Sequence, residues 1–213
     1  LKILAALIFC ILPASEILSQ ITEKNNLQVF EELITASLNE IIYSPLIDRQ
    51  NGFIYNISAD SSIESGGGKK FFTNLIHKFS QVNKLNYFFS TENTASDTNL
   101  YKVKIFIFSL KTLYTKFVKN KFLGEKSVER NLLGKIVVQI DKTPGIQILT
   151  EDILIDYKGE IPYENYESFE TADYQFTIGN KIEINFIERI IFPAAIIAAS
   201  AAAILAFFLI RTK

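Results

Sequence analysis

Asp152 and Asp156 are the two residues of this chain whose types and spacing best suit catalysis. Four positions apart in a strand, they share one face, and paired carboxylates can divide acid and base work in hydrolysis of a wall or glycan bond. Glu151 points to the opposite face. Gly66-Gly67-Gly68-Lys69-Lys70 opens a helix, as a phosphate-binding loop does, but no Gly lies four residues before a Gly-Lys pair followed by Ser or Thr. It reads as a flexible connector. The single histidine, His77, falls nearly opposite the Phe72, Ile76 and Phe79 face of its helix, so it reads as solvated. Between Pro162 and Gly179, Glu164, Glu167, Glu170 and Asp173 alternate with Tyr163, Tyr166, Phe169, Tyr174 and Phe176. Carboxylates suit hard cations, but the Asp-x-Asp-x-Asp-Gly spacing is absent, and the segment reads as a strap laying rings on the domain. No cofactor, metal or catalytic residue is assigned.

Charge is uneven along the chain. From Leu100 to Lys135 nine basic residues face only Glu125 and Glu129, whereas Asp141 to Glu188 is strongly acidic. The expected partner surface is a basic hairpin tip, Lys116, Lys119, Lys121, Lys126 and Arg130, suited to lipid headgroups, an anionic envelope polymer or an acidic envelope protein. The structural alternative is that the basic strands neighbour the acidic ones within the sheet. Nucleic acid is not an expected partner.

The elements that must carry these residues lie between two apolar ends. Lys2, the apolar run Ile3 to Leu12 and small Ser19 have the layout of a secretory signal. Cys10, the chain's one cysteine, follows bulky Phe9 and reads as part of that run rather than as a lipid-modified residue. Its removal with the signal excludes disulfides, structural zinc and Cys–His pairs within one mature chain. The chain has no Met and opens on Leu1, which suggests truncation or a non-standard start codon. Ile190 to Ile210 is uncharged and long enough for one transmembrane helix, and Arg211 and Lys213 place its end in the cytoplasm. Ala194, Ala195, Ala198 and Ala199 offer a small-residue face for self-association of that span. The expected organisation is therefore a signal peptide at 1–19, an extracytoplasmic domain at 20–160, an aromatic and acidic strap and tether at 161–189, a transmembrane helix at 190–210 and a cytoplasmic tail at 211–213. The expected location is the cell membrane of a bacterium, single-pass, with the bulk of the chain periplasmic.

Within the domain, Leu27, Phe30, Ile34, Leu38 and Ile41 recur at helical spacing, as do Phe72, Leu75, Ile76 and Phe79. Phe53 to Ile57 and Leu85 to Ser90 read as strands. Tyr101, Val103, Ile105 and Ile107 alternate with Lys102, Lys104, Phe106 and Phe108, which marks a long strand leading into a meander over 130–140 and 146–157. The expected fold class is α+β, a two-layer domain with two amphipathic helices on a mainly antiparallel sheet.

The stretch Arg130-Asn131-Leu132-Leu133-Gly134-Lys135-Ile136-Val137-Val138-Gln139-Ile140-Asp141-Lys142-Thr143-Pro144-Gly145 resembles the strand, turn and returning strand of bacterial envelope proteins related to the curli-secretion channel subunit and the penicillin-binding-protein activators. The resemblance implies a periplasmic α+β domain that binds envelope partners rather than catalysing. The chain departs from that family in lacking a lipid-modified cysteine and in its C-terminal apolar segment. The expected function is thus a membrane-anchored envelope interaction or assembly module. A carboxylate-dependent hydrolase and a secretion-channel subunit are the alternatives.

Overall fold

The computed structural model describes residues 23–89, 100–119, 126–142, 145–182 and 186–211, with the side chains of all but 116–119, 186–193 and 208–211. The expected signal peptide, Cys10 and Lys121 lie outside the described residues. The chain divides into two units, residues 1–180 and 181–213.

In the first unit, Asn25 begins helix α1 (Asn26–Ile42) through a reciprocal cap. Its side chain accepts from the Gln28 N–H at 2.8 Å, and the Gln28 side chain accepts from the Asn25 N–H at 3.0 Å. Two otherwise unpaired amides are thereby satisfied. Strand β1 (Gly52–Ala59) leads to a short helix α2 (Ser61–Ser65), then to α3 (Gly68–Val82) and strand β2 (Tyr87–Phe89). The long strands β3 (Leu100–Lys119), β4 (Lys126–Lys142) and β5 (Ile146–Pro162) follow. Two 3-10 turns, Tyr163–Phe169 and Gln175–Thr177, end the unit.

All five strands join one sheet, ordered β2-β1-β3-β4-β5. β1 runs parallel to both β2 and β3, while β3, β4 and β5 are antiparallel neighbours. The sheet is therefore mixed, which corrects the expected mainly antiparallel arrangement. The reason is the crossover through α3, which carries the chain back across the sheet so that β2 lies parallel to β1. Alternate residues of each strand, such as Tyr55, Ile105, Ile107, Ile136 and Ile140, meet Phe30, Ile34, Phe72 and Ile76 of α1 and α3 in a single core. Within the first unit, no described helix joins the core from the opposite face of the sheet.

The strand pairing has one irregularity that matters below. Ile107 pairs with Ile136, but Ser109 pairs with Lys135, so Phe108 is an extra residue in β3. Such a bulge bends the strand and tightens its twist.

The second unit holds helix α4 (Phe186–Arg211). No helix among the described residues is long and apolar enough to cross a membrane, which corrects the transmembrane, single-pass reading of 190–210. α4 takes in Glu188 and Arg189 ahead of the apolar run and ends on Arg211.

Candidate functional site

The register of β3, β4 and β5 sets out the uncovered face row by row. Phe106 lies beside Val137, and Val137 beside Asp152. In the next row Ser109, with bulged Phe108, lies beside Lys135 and then Leu154; in the third, Lys111 lies beside Leu133 and then Asp156. Apolar side chains from all three strands thus share this face with Lys135 among them, Lys111 standing on the β3 flank and Asp152 and Asp156 on the β5 flank. Phe108 is 56% exposed and Leu154 71%, so these large apolar groups face solvent. The Lys135 ammonium sits over the Phe108 ring, 5.8 Å from its centre, a cation–π contact that draws the charge off β4 toward β3.

Nearer β1, Lys104 bonds Asp141 at 2.9 Å and the Gln139 amide donates to the same carboxylate at 2.9 Å. Burial works to raise the Asp141 carboxyl, but the Gln139 and Lys104 hydrogen bonds and the Lys104 and Lys102 charges outweigh it and hold the group below its ordinary value. Here basic β3 does neighbour an acid at the end of β4.

The expected basic tip is placed differently residue by residue. Lys116 pairs in register with Glu129 and Lys119 with Lys126, whose side chain is exposed. Arg130 is 4% exposed and points into the domain. Its Nη1 donates to the Lys24 carbonyl at 2.8 Å and to Asn26 Oδ1 at 3.2 Å, and its guanidinium lies 5.5 Å from the Tyr157 ring centre and 5.7 Å from that of Phe169. Asn26, fully buried, donates onward to the Tyr114 hydroxyl at 3.0 Å and the Thr177 carbonyl at 2.7 Å. Burial pushes the Tyr114 hydroxyl well above the usual phenol range, against the lowering effect of the Asn26 hydrogen bond. This network pins the start of α1, the β3–β4 ladder and the segment after β5 to one another. Arg130 therefore has no free face to offer a partner.

The other candidate residues are occupied locally. Gly66 and Gly67 spend their N–H groups on the Ser62 and Glu64 carbonyls, and Lys69 pairs with Glu64 at 3.1 Å. Gly67 has φ +84°, and a Cβ there would meet the Asp173 carbonyl oxygen at 2.9 Å, so the glycines serve close packing rather than phosphate. His77 is exposed, with Nδ1 on the Tyr87 hydroxyl and Nε2 at 3.0 Å from the Gln81 amide. A cleft of about 740 Å³ between the end of α1 and β5 is lined by Glu40, Glu151 and Asp152, but not by Asp156. The two aspartates do not converge on it. Among the described residues no group of three His, Cys, Asp or Glu side chains is placed to hold a metal ion.

No family model matches the chain, and no curated protein matches it. A solved Helicobacter pylori homolog of neuraminyllactose-binding hemagglutinin is similar at 13% identity, over 56% of this chain and 71% of that one. Its TM-score is 0.33, too low to carry a fold or a function across.

Sequence reasoning passed over the apolar band. Its signal was Phe106 and Phe108 standing in the register otherwise filled by Lys102 and Lys104, where a one-sided strand wants polar residues.

Proposed function

We propose that this chain is an interaction module that docks a protein partner on the uncovered face of β3, β4 and β5. The observation that carries the reading is exposed Phe108 and Leu154, with half-buried Phe106, Val137 and Leu133, crossing that face between Lys111 and the carboxylates of Asp152 and Asp156. Exposed apolar side chains arranged contiguously and rimmed by charge are the surface pattern of protein association. The resemblance of 130–145 to envelope interaction proteins supports the same reading, and the signal-like layout of 1–19 supports an extracytoplasmic setting. Mass spectrometry of the N-terminus in cells tests the setting: a start near Gln20 is expected, and a retained 1–19 segment refutes it.

The docking reading is tested by placing a photo-crosslinking amino acid at Phe108 or Leu154 of the full chain in the cells that make it. Position Asn74, exposed on α3, serves as the control. Protein adducts are expected from the two sheet positions and not from Asn74. Adducts from Asn74 alone, or from none of the three, refute the reading.

A further inference from the structure

We infer that the partner on this face is a second copy of the same chain, an inference that rests on the docking reading above. The face is complementary to itself. Lys111 stands on the β3 flank and Asp156 on the β5 flank of the same row, with Leu133 of β4 between them. When two such faces are stacked about a two-fold axis running along β4, β3 of each copy lies over β5 of the other. Lys111 then meets the second copy's Asp156, Phe108 meets Leu154, Phe106 meets Asp152, and Val137 and Leu133 meet their own counterparts. An axis across the strands would instead lay lysine strand on lysine strand. The charges therefore select both the partner and the orientation.

The lysine at the centre of the middle strand's outer face, Lys135, does not obstruct this stacking. Lys135 would otherwise face its own copy near the axis, but its ammonium is held over the Phe108 ring, toward β3. Size also fits. Three strands of 17 to 20 residues, at ~4.8 Å spacing and ~3.3 Å per residue, present up to about 800 Å² per copy, which equals a standard stable interface. Stacked sheets sit ~10 Å apart with strands within about 30° of alignment, a separation that lysine and aspartate side chains bridge.

The test uses two charge reversals in the full chain, Lys111→Glu and Asp156→Lys, followed by sedimentation velocity in a fixed nonionic detergent. Each variant alone opposes like charges at both symmetric contacts and is expected to weaken self-association by roughly tenfold or more. Mixed together, the two variants restore attraction at both contacts and are expected to pair about as tightly as the unmodified chain. Independently of those reversals, Val137→Cys in a Cys10→Ser background is expected to be joined between copies by a short bismaleimide crosslinker, because Val137 lies beside the axis across a gap too wide for a disulfide, while Asn74→Cys is not. An unmodified chain that stays monomeric through the micromolar range overturns the inference. Phe108 crosslinks to a different protein would then leave the docking reading standing, whereas absent crosslinks would end both. Dimers insensitive to both reversals, or a mixture that fails to recover, also overturn it.

Discussion

Replacing Arg130 by Met tests whether this residue holds the domain together or serves a partner. The substitution removes two charge-assisted hydrogen bonds, to the Lys24 carbonyl and to Asn26 Oδ1, and the contacts with the Tyr157 and Phe169 rings. Hydrogen bonds to a charged group contribute about 1.5–3 kcal/mol each, and a desolvated cation–π contact up to ~2. Against that loss, Met no longer buries a guanidinium whose Nε has no hydrogen-bond partner, which returns several kcal/mol of desolvation. The net expectation is destabilisation by about 3 kcal/mol. At a urea dependence of ~2 kcal/mol per molar, the unfolding midpoint falls by about 1.5 M with an unchanged slope. Arg130→Lys keeps the charge but not the forked donors, so it recovers only part of the loss. Hydrogen exchange at the start of α1 should accelerate in the Met variant, because Asn26 loses its anchor on β4. A midpoint drop below about 0.5 M, with α1 protection unchanged, would refute the reasoning and return Arg130 to the list of partner residues.

Three further variants probe other parts of the domain. Asp141 is held below its ordinary value in the fold, so its contribution is present above the unfolded carboxylate range, ~3.9, and is lost as pH falls through the lower folded value. Asp141→Asn should cost about 1 kcal/mol at neutral pH, with the difference from the unmodified chain vanishing in urea titrations at strongly acidic pH. Tyr55 and Ser80 carry buried hydroxyls without a hydrogen-bond partner, so Tyr55→Phe with Ser80→Ala should raise stability by about 1 kcal/mol. Burial pushes Tyr55 from 10.0 up to about 12, slightly offset by nearby Ser80. The unfolded chain therefore ionises first, and the unmodified domain should lose stability as pH rises through that window more steeply than the Tyr55→Phe variant. Gly67→Ala combines a left-handed backbone with a 2.9 Å approach to the Asp173 carbonyl, and should lower stability by about 1–2 kcal/mol in thermal melts; an unchanged melting point would show that the 171–177 segment yields at no cost.

Periodicity made much of this fold readable before any coordinates. The apolar faces of α1 and α3 repeat every three to four residues, and β3 alternates by twos, because each element buries one side only. What periodicity cannot carry is pairing. β2 has three residues, too few to announce that it lies parallel to β1, and the five residues of α2 are too few to show a helical repeat. Arg130 was misplaced although a signal existed: it shares the parity of Leu132, Ile136, Val138 and Ile140, the buried side of β4. Charge type outweighed position in the reading, and the structure reverses that weighting. The apolar band was hidden for the opposite reason, since its members come from three strands whose register only long-range pairing fixes. For the C-terminal segment, the uncharged run was legible, but the described helix includes charges outside it.

The extra residue in β3 has a bearing on how this chain tolerates change in length. Loss of one residue from a regular strand sends every following side chain to the other face, which would move Leu110, Thr112 and Tyr114 out of the interior. Loss of Phe108 does not, because Ser109 already stands opposite Lys135 and would simply close the gap after Ile107. The bulge is thus the one place in the first half of β3 where a codon can be lost while the interior keeps its order. What such an event would alter is the bend of the strand and the aromatic ring beneath Lys135, so length variation there acts on the outer surface and spares the core.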